Sequence, residues 1–104
     1  MKEQIVELLG LPERGARAPS LDRIEDTLTE GYALALALDA ERLRLERRIG
    51  EVARDADGRN GSLADELTAL AARLKSTDGE LVRLRTLLGS LRDRARDVRS
   101  AAPR

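Results

Sequence analysis

Residues 63–98 read LADELTALAARLKSTDGELVRLRTLLGSLRDRARDV, and this stretch decides the fold. Apolar residues recur in it at alternating steps of three and four, and only Thr77 interrupts the series. An apolar period of 3.5 residues over about five heptads is typical of a coiled-coil seam. A single helix cannot bury such a seam, so a second helix must pack against it. The series consists of Leu63, Leu67, Leu70, Leu74, Leu81, Leu84, Leu88, Leu91, Ala95 and Val98.

A second series with the same spacing lies upstream. If the two helices run antiparallel, the series match so that the numbers of each facing pair add up to 119. Arg42 and Thr77 then face each other. We interpret these two as a polar layer that fixes the register of the hairpin; the alternative is that Arg42 contacts a partner or ligand. The upstream series is Leu21, Ile24, Leu28, Gly31, Ala35, Leu38, Arg42, Leu45, Ile49 and Val52.

The two series predict an antiparallel helical hairpin over residues 21–99. The segment DADGRNG (residues 55–61) contains Asp-Gly and Asn-Gly, which predicts a turn at 57–61 between helices at about 21–56 and 62–99. Ser20 and Ser62 are suitable N-caps for the two helices. Thr77 and Glu80 have the spacing of a capping box, but the unbroken heptad phase favours one continuous helix there. Residues 100–104 are expected to fray.

The first 20 residues are predicted to form a separate piece. Residues 1–11 resemble a short amphipathic helix, with Gly10 as a left-handed cap, and residues 12–20 form a linker that contains two prolines and a glycine. Two turns of helix are not stable alone in water, so this helix must dock or fray. The sequence does not say where it docks. Its apolar residues are Ile5, Val6, Leu8 and Leu9.

Composition narrows the function classes. The 104 residues include one aromatic residue, Tyr32, and neither cysteine nor histidine. Disulfides, thiolate metal sites and the commonest general base are therefore excluded. No phosphate-binding loop or nucleophile motif is present. We predict a non-enzymatic protein without cofactor, metal or small-molecule substrate.

No run approaches the ~20 apolar residues of a membrane span, which predicts a cytoplasmic location and no membrane partner.

A further apolar stripe lies on the side of the second helix away from the seam. A helix that is apolar on all sides is buried on all sides. Two occupants are possible: the N-terminal helix, or a second copy that completes a four-helix bundle. We favour a homodimer, because the N-terminal helix offers only four large apolar residues. The predicted interaction face is Tyr32, Ala33, Leu36, Ala37, Ala40 and Leu43.

The predicted function is protein–protein interaction, as an assembly, adaptor or regulatory module that binds itself or another protein. The alternative is a small regulator that binds nucleic acid through the arginine-rich end of the third helix. A net charge of zero and the absence of aromatic residues for base stacking make that alternative the weaker one. Its phosphate contacts would be Arg92, Arg94, Arg96 and Arg99.

Overall fold

The computed structural model describes residues 1–12, 15, 18–55 and 62–101. They form three helices, α1 (Lys2–Leu9), α2 (Leu21–Arg54) and α3 (Ser62–Ala101), and no strand occurs among them. The two long helices pack against each other. The predicted all-α class with a helical hairpin is therefore confirmed.

The ends of the long helices differ slightly from the expected ones. α2 ends at Arg54, and the predicted turn at 57–61 lies outside the described residues. α3 continues to Ala101, two residues beyond the predicted end, and residues 102–104 of the predicted frayed tail are not described. α3 runs without a break through residues 76–79. A continuous helix keeps the seam on one face, whereas a break there would rotate its two halves apart.

The caps of the helices show one confirmed prediction, at the N-terminal end of α2, and one correction, at the C-terminal end of α1. The Ser20 hydroxyl accepts a hydrogen bond from the Arg23 backbone N–H at 3.1 Å, as an N-cap does. The prediction of a left-handed Gly10 is wrong, because its φ of −79° and ψ of −11° are right-handed. Its N–H donates to the carbonyls of Val6 and Glu7 at 3.0 and 3.2 Å, so the helical pattern continues through it.

The chain divides into two compact units. The three-helix unit comprises Met1–Ala35 and Arg83–Arg104, and the two-helix unit comprises Leu36–Val82.

The three-helix unit has a dry apolar core. At its centre Gly31 faces Leu88, as the register predicts: a Cβ atom added to Gly31 would lie 3.4 Å from Leu88 Cγ and still closer to Leu88 Cδ2. The absence of a side chain at Gly31 thus makes room for Leu88. An ion pair of 2.6 Å between Arg99 and Glu25 links the two long helices. The buried apolar residues are Ile5, Leu8, Ile24, Leu28, Ala35, Leu84, Leu88, Leu91 and Ala95.

The two-helix unit contains the remainder of the seam, and this part is less buried. Ion pairs join Arg48 to Glu66 at 2.9 Å and Arg73 to Glu41 at 3.4 Å, which fixes an antiparallel order of the helices. With only two helices, much of the seam retains partial solvent contact. Leu45, Val52, Thr77 and Leu81 are buried, whereas Leu38, Ile49, Leu67, Leu70 and Leu74 are half-buried.

Candidate functional site

The outer apolar face of the two-helix unit consists of Leu36, Ala37, Ala40 and Leu43. All four are exposed; Leu36 retains 71% of its accessible surface and Leu43 retains 53%. They lie on α2 at spacings that bring them to one side, away from the seam positions Leu38 and Leu45. The seam therefore does not account for these leucines.

A shallow depression adjoins Leu43 on the same helix. Arg47 and Arg54 bring positive charge to it, and a Cβ atom added to Gly50 would lie 3.8 Å from the Arg54 guanidinium. The apolar stretch of α2 thus ends against two guanidinium groups. The residues that line the depression are Leu43, Glu46, Arg47, Gly50 and Arg54.

The other two residues of the predicted interaction face, Tyr32 and Ala33, belong to the three-helix unit. Both are exposed, and Tyr32 retains 44% of its accessible surface. In the same unit α1 is docked, with Ile5 at 0% and Leu8 at 1% exposure. The short helix therefore buries Ile5 and Leu8, whereas Val6, Tyr32 and Ala33 remain exposed to solvent.

The predicted register residues lie at one level of the two-helix unit. Thr77 is buried at 7% exposure, and the Arg42 side chain is 35% exposed. Arg42 is 3.3 Å from Asp39, 3.8 Å from Asp78 and 4.0 Å from Glu46, measured between charged atoms. Arg42 Nε and Asp78 Oδ1 are buried and have no hydrogen-bond partner among the described residues. Such long, incomplete pairing adds little stability, which is the property expected of a layer that selects register.

The four predicted phosphate contacts have different surroundings. Arg94 donates hydrogen bonds to the carbonyl oxygens of Leu9 and Leu11 at 3.0 and 3.1 Å, and Arg99 is paired with Glu25. Arg92 and Arg96 are exposed. Two of the four guanidinium groups are therefore already engaged inside the protein.

Arg94 has a role that the sequence did not reveal. Its guanidinium donates hydrogen bonds to carbonyl groups at the C-terminal end of α1, where a helix has unpaired acceptors and partial negative charge. The acceptors are backbone atoms more than 80 residues away in the chain. No side-chain pattern marks them, so periodicity could not have identified this contact.

A groove in the three-helix unit was also missed. It is lined by Tyr32, Ala35, Arg85, Leu88, Gly89 and Arg92. Sequence reasoning placed Tyr32 on the predicted interaction face but connected it with no residue of α3, and it assigned Gly89 no role. The seven-residue spacing from Arg85 to Arg92 and on to Arg99 was the available signal.

Residues 1–12, 15, 18–55 and 62–101 contain no group of three or more His, Cys, Asp or Glu side chains that could hold a metal ion. Of the three described helices, none combines the length and apolar character that a bilayer crossing requires.

Comparison with known proteins finds no match to this chain, whether among protein-family models, curated proteins or solved structures.

Proposed function

We propose that this protein is a non-enzymatic protein–protein interaction module that acts as a helical assembly, adaptor or regulatory protein. The observation that carries the proposal is the exposure of Leu36 and Leu43 on the outer apolar face. Covering a leucine contributes about 1.5–3 kcal/mol, in proportion to the area removed from water. Ala37 and Ala40 lie between them, and their small side chains let another helix approach closely.

The occupant that we favour is a second copy of the chain. A two-fold symmetric dimer brings the same patch from both copies together, so two exposed leucines become four at one interface. The result would be a four-helix bundle.

Sedimentation equilibrium at micromolar concentration tests this proposal. We expect a dimer for the wild-type chain and a monomer for Leu36→Glu, because the variant places a carboxylate at the centre of the interface. Ala53→Glu is the matched control: it adds the same charge to an exposed alanine of α2 outside the outer apolar face. A wild-type chain that remains monomeric, with unchanged behaviour for Leu36→Glu, would show the homodimer proposal to be wrong.

A further inference from the structure

The groove of the three-helix unit is sized for side chains rather than for a cofactor. Its volume is about 270 Å³, below the roughly 300–1,000 Å³ of typical small-molecule pockets. Tyr32, Ala35, Leu88 and Gly89 supply apolar surface, and Arg85 and Arg92 supply positive charge. This combination suits an apolar side chain accompanied by a carboxylate.

The chain's own N-terminal helix does not occupy this groove. Successive residues of an α-helix are about 100° apart, so Arg92 and Arg94 point about 200° apart around α3. Arg94 holds the end of α1 through the carbonyls of Leu9 and Leu11. α1 is thus attached on the far side of α3 from Arg92.

The charges beside the groove are unbalanced at one position. Arginines recur on α3 every seven residues at Arg85, Arg92 and Arg99, and Glu25 and Tyr32 have the same spacing on α2. Glu25 pairs with Arg99 at 2.6 Å. Seven residues further along α2, at the position that corresponds to Arg92, the chain has Tyr32 in place of a second carboxylate. Arg92 is exposed and forms no ion pair with any residue that the structure describes, whereas Arg85 does have an interaction within the protein.

Gly89 adds a steric argument. A glycine inside a helix costs about 1 kcal/mol relative to alanine. At Gly31 the contact with Leu88 explains the glycine, but a Cβ added to Gly89 would have no atom within 4 Å. Internal packing therefore does not require glycine at position 89. The missing side chain leaves open space that a group from outside can fill.

We propose that this groove binds an acidic amphipathic helix of another protein. One apolar side chain of that helix would lie over Gly89 against Leu88 and Tyr32, and an adjacent Asp or Glu would pair with Arg92. Arginine and carboxylate form short, bidentate, charge-assisted hydrogen bonds, and a helix laid in an apolar groove is a common mode of recognition. The groove shares no residue with the outer apolar face, so separate variants test the two proposals and either can fail alone.

The test uses the full chain and a fluorescein-labelled helical peptide of 15 residues with leucine and glutamate along one face. Fluorescence anisotropy gives the affinity, and amide NMR shifts locate the site. We expect binding that shifts the Gly89 amide and the Tyr32 ring. A peptide with Gln in place of every Glu should bind at least about tenfold more weakly, since charge-assisted pairing is lost.

Three variants of the chain separate a specific groove from general attraction. Arg92→Glu and Gly89→Leu should each weaken binding by at least about tenfold, the first by charge and the second by filling the space. Arg83→Glu is the matched control, because Arg83 is exposed and points about 180° from Arg92 around α3; it should leave the affinity within about twofold. The α-helical circular dichroism of each variant confirms folding.

Three outcomes would overturn the proposal. One is no binding up to about 1 mM peptide, the range of a marginal contact. Another is equal weakening by Arg92→Glu and Arg83→Glu, which would indicate unspecific attraction. The third is that a 20-base-pair DNA duplex binds more tightly than the peptide and loses affinity in Arg92→Glu, which would assign this surface to nucleic acid.

Discussion

The two units contain the same seam but bury it differently. In the three-helix unit Leu84, Leu88 and Leu91 are at most 2% exposed, whereas Leu67, Leu70 and Leu74 of the two-helix unit are half-buried. One heptad pattern runs through both sets of leucines, so the pattern does not cause the difference. The third helix does, because it supplies Ile5 and Leu8 to the first core. A heptad pattern therefore specifies which residues meet, and the docked α1 adds the cover that keeps Leu84, Leu88 and Leu91 away from solvent.

The largest expected effect comes from truncating one leucine in each unit. Leu91→Ala removes a side chain at 0% exposure and should lower the free energy of unfolding by about 3 kcal/mol or more. Leu70→Ala removes a half-buried side chain and should lower the free energy of unfolding by about half as much, because less apolar surface is buried there in the wild-type chain. Urea denaturation of both variants measures the difference. Equal losses would contradict the contrast between the units.

Removing the Arg94 contact should affect the three-helix unit alone. Arg94→Met keeps most of the side-chain length but loses the hydrogen bonds to Leu9 and Leu11, which should weaken docking of α1 by about 2 kcal/mol. Amide hydrogen exchange should accelerate in α1 and remain unchanged in residues 36–54 and 62–82. Arg96→Met, at an exposed arginine of the same helix, is the control. Unchanged exchange in α1 would contradict the assignment.

Two glycines should respond to alanine with opposite signs. Gly31→Ala forces its new methyl group against Leu88 in the dry core, and we expect a net loss of about 1 kcal/mol after the gain in helix propensity. Gly79→Ala, in the two-helix unit, meets no atom within 4 Å and should stabilise by up to about 1 kcal/mol. Thermal denaturation reports both. Stabilisation by Gly31→Ala would show that Leu88 has room to move.

The polar layer should give the smallest change in stability. In Arg42→Leu combined with Thr77→Leu, added apolar burial offsets the lost ion pairs, so the free energy of unfolding should change by less than about 1 kcal/mol. The register should nevertheless become less unique. Cysteines introduced at positions 45 and 74 measure this, because slipped pairings lower the yield of the disulfide. An unchanged yield would contradict the register interpretation of Arg42 and Thr77.

The sequence predicted the part of the fold that depends on local periodicity. The register in which facing residue numbers add up to 119 correctly placed Gly31 against Leu88. It could do so because the apolar residues of α2 and α3 have the same 3.5-residue period, which determines the facing pairs. Gly10 was misjudged because glycine permits a left-handed cap without requiring one. The position where α1 docks could not be predicted from the sequence, since it depends on hydrogen bonds from Arg94 to backbone carbonyls.

The candidate surfaces were predictable to a lesser extent. The exposure of Leu36 and Leu43 follows from their position outside the seam, so the sequence could select them. The groove beside Tyr32 could not be selected in the same way. It depends on side chains from two helices and on the empty space at Gly89, which only the packed structure shows.

The contact between Arg94 and the end of α1 has a kinetic consequence. It joins residues 85 positions apart, whereas Arg48 and Glu66 are 18 apart. The entropy cost of closing a loop rises with the logarithm of its length, so the long helices can meet near their connection before α1 docks. We therefore expect α1 to fold last and to detach first. Stopped-flow refolding would then show the α1 contacts as the final phase.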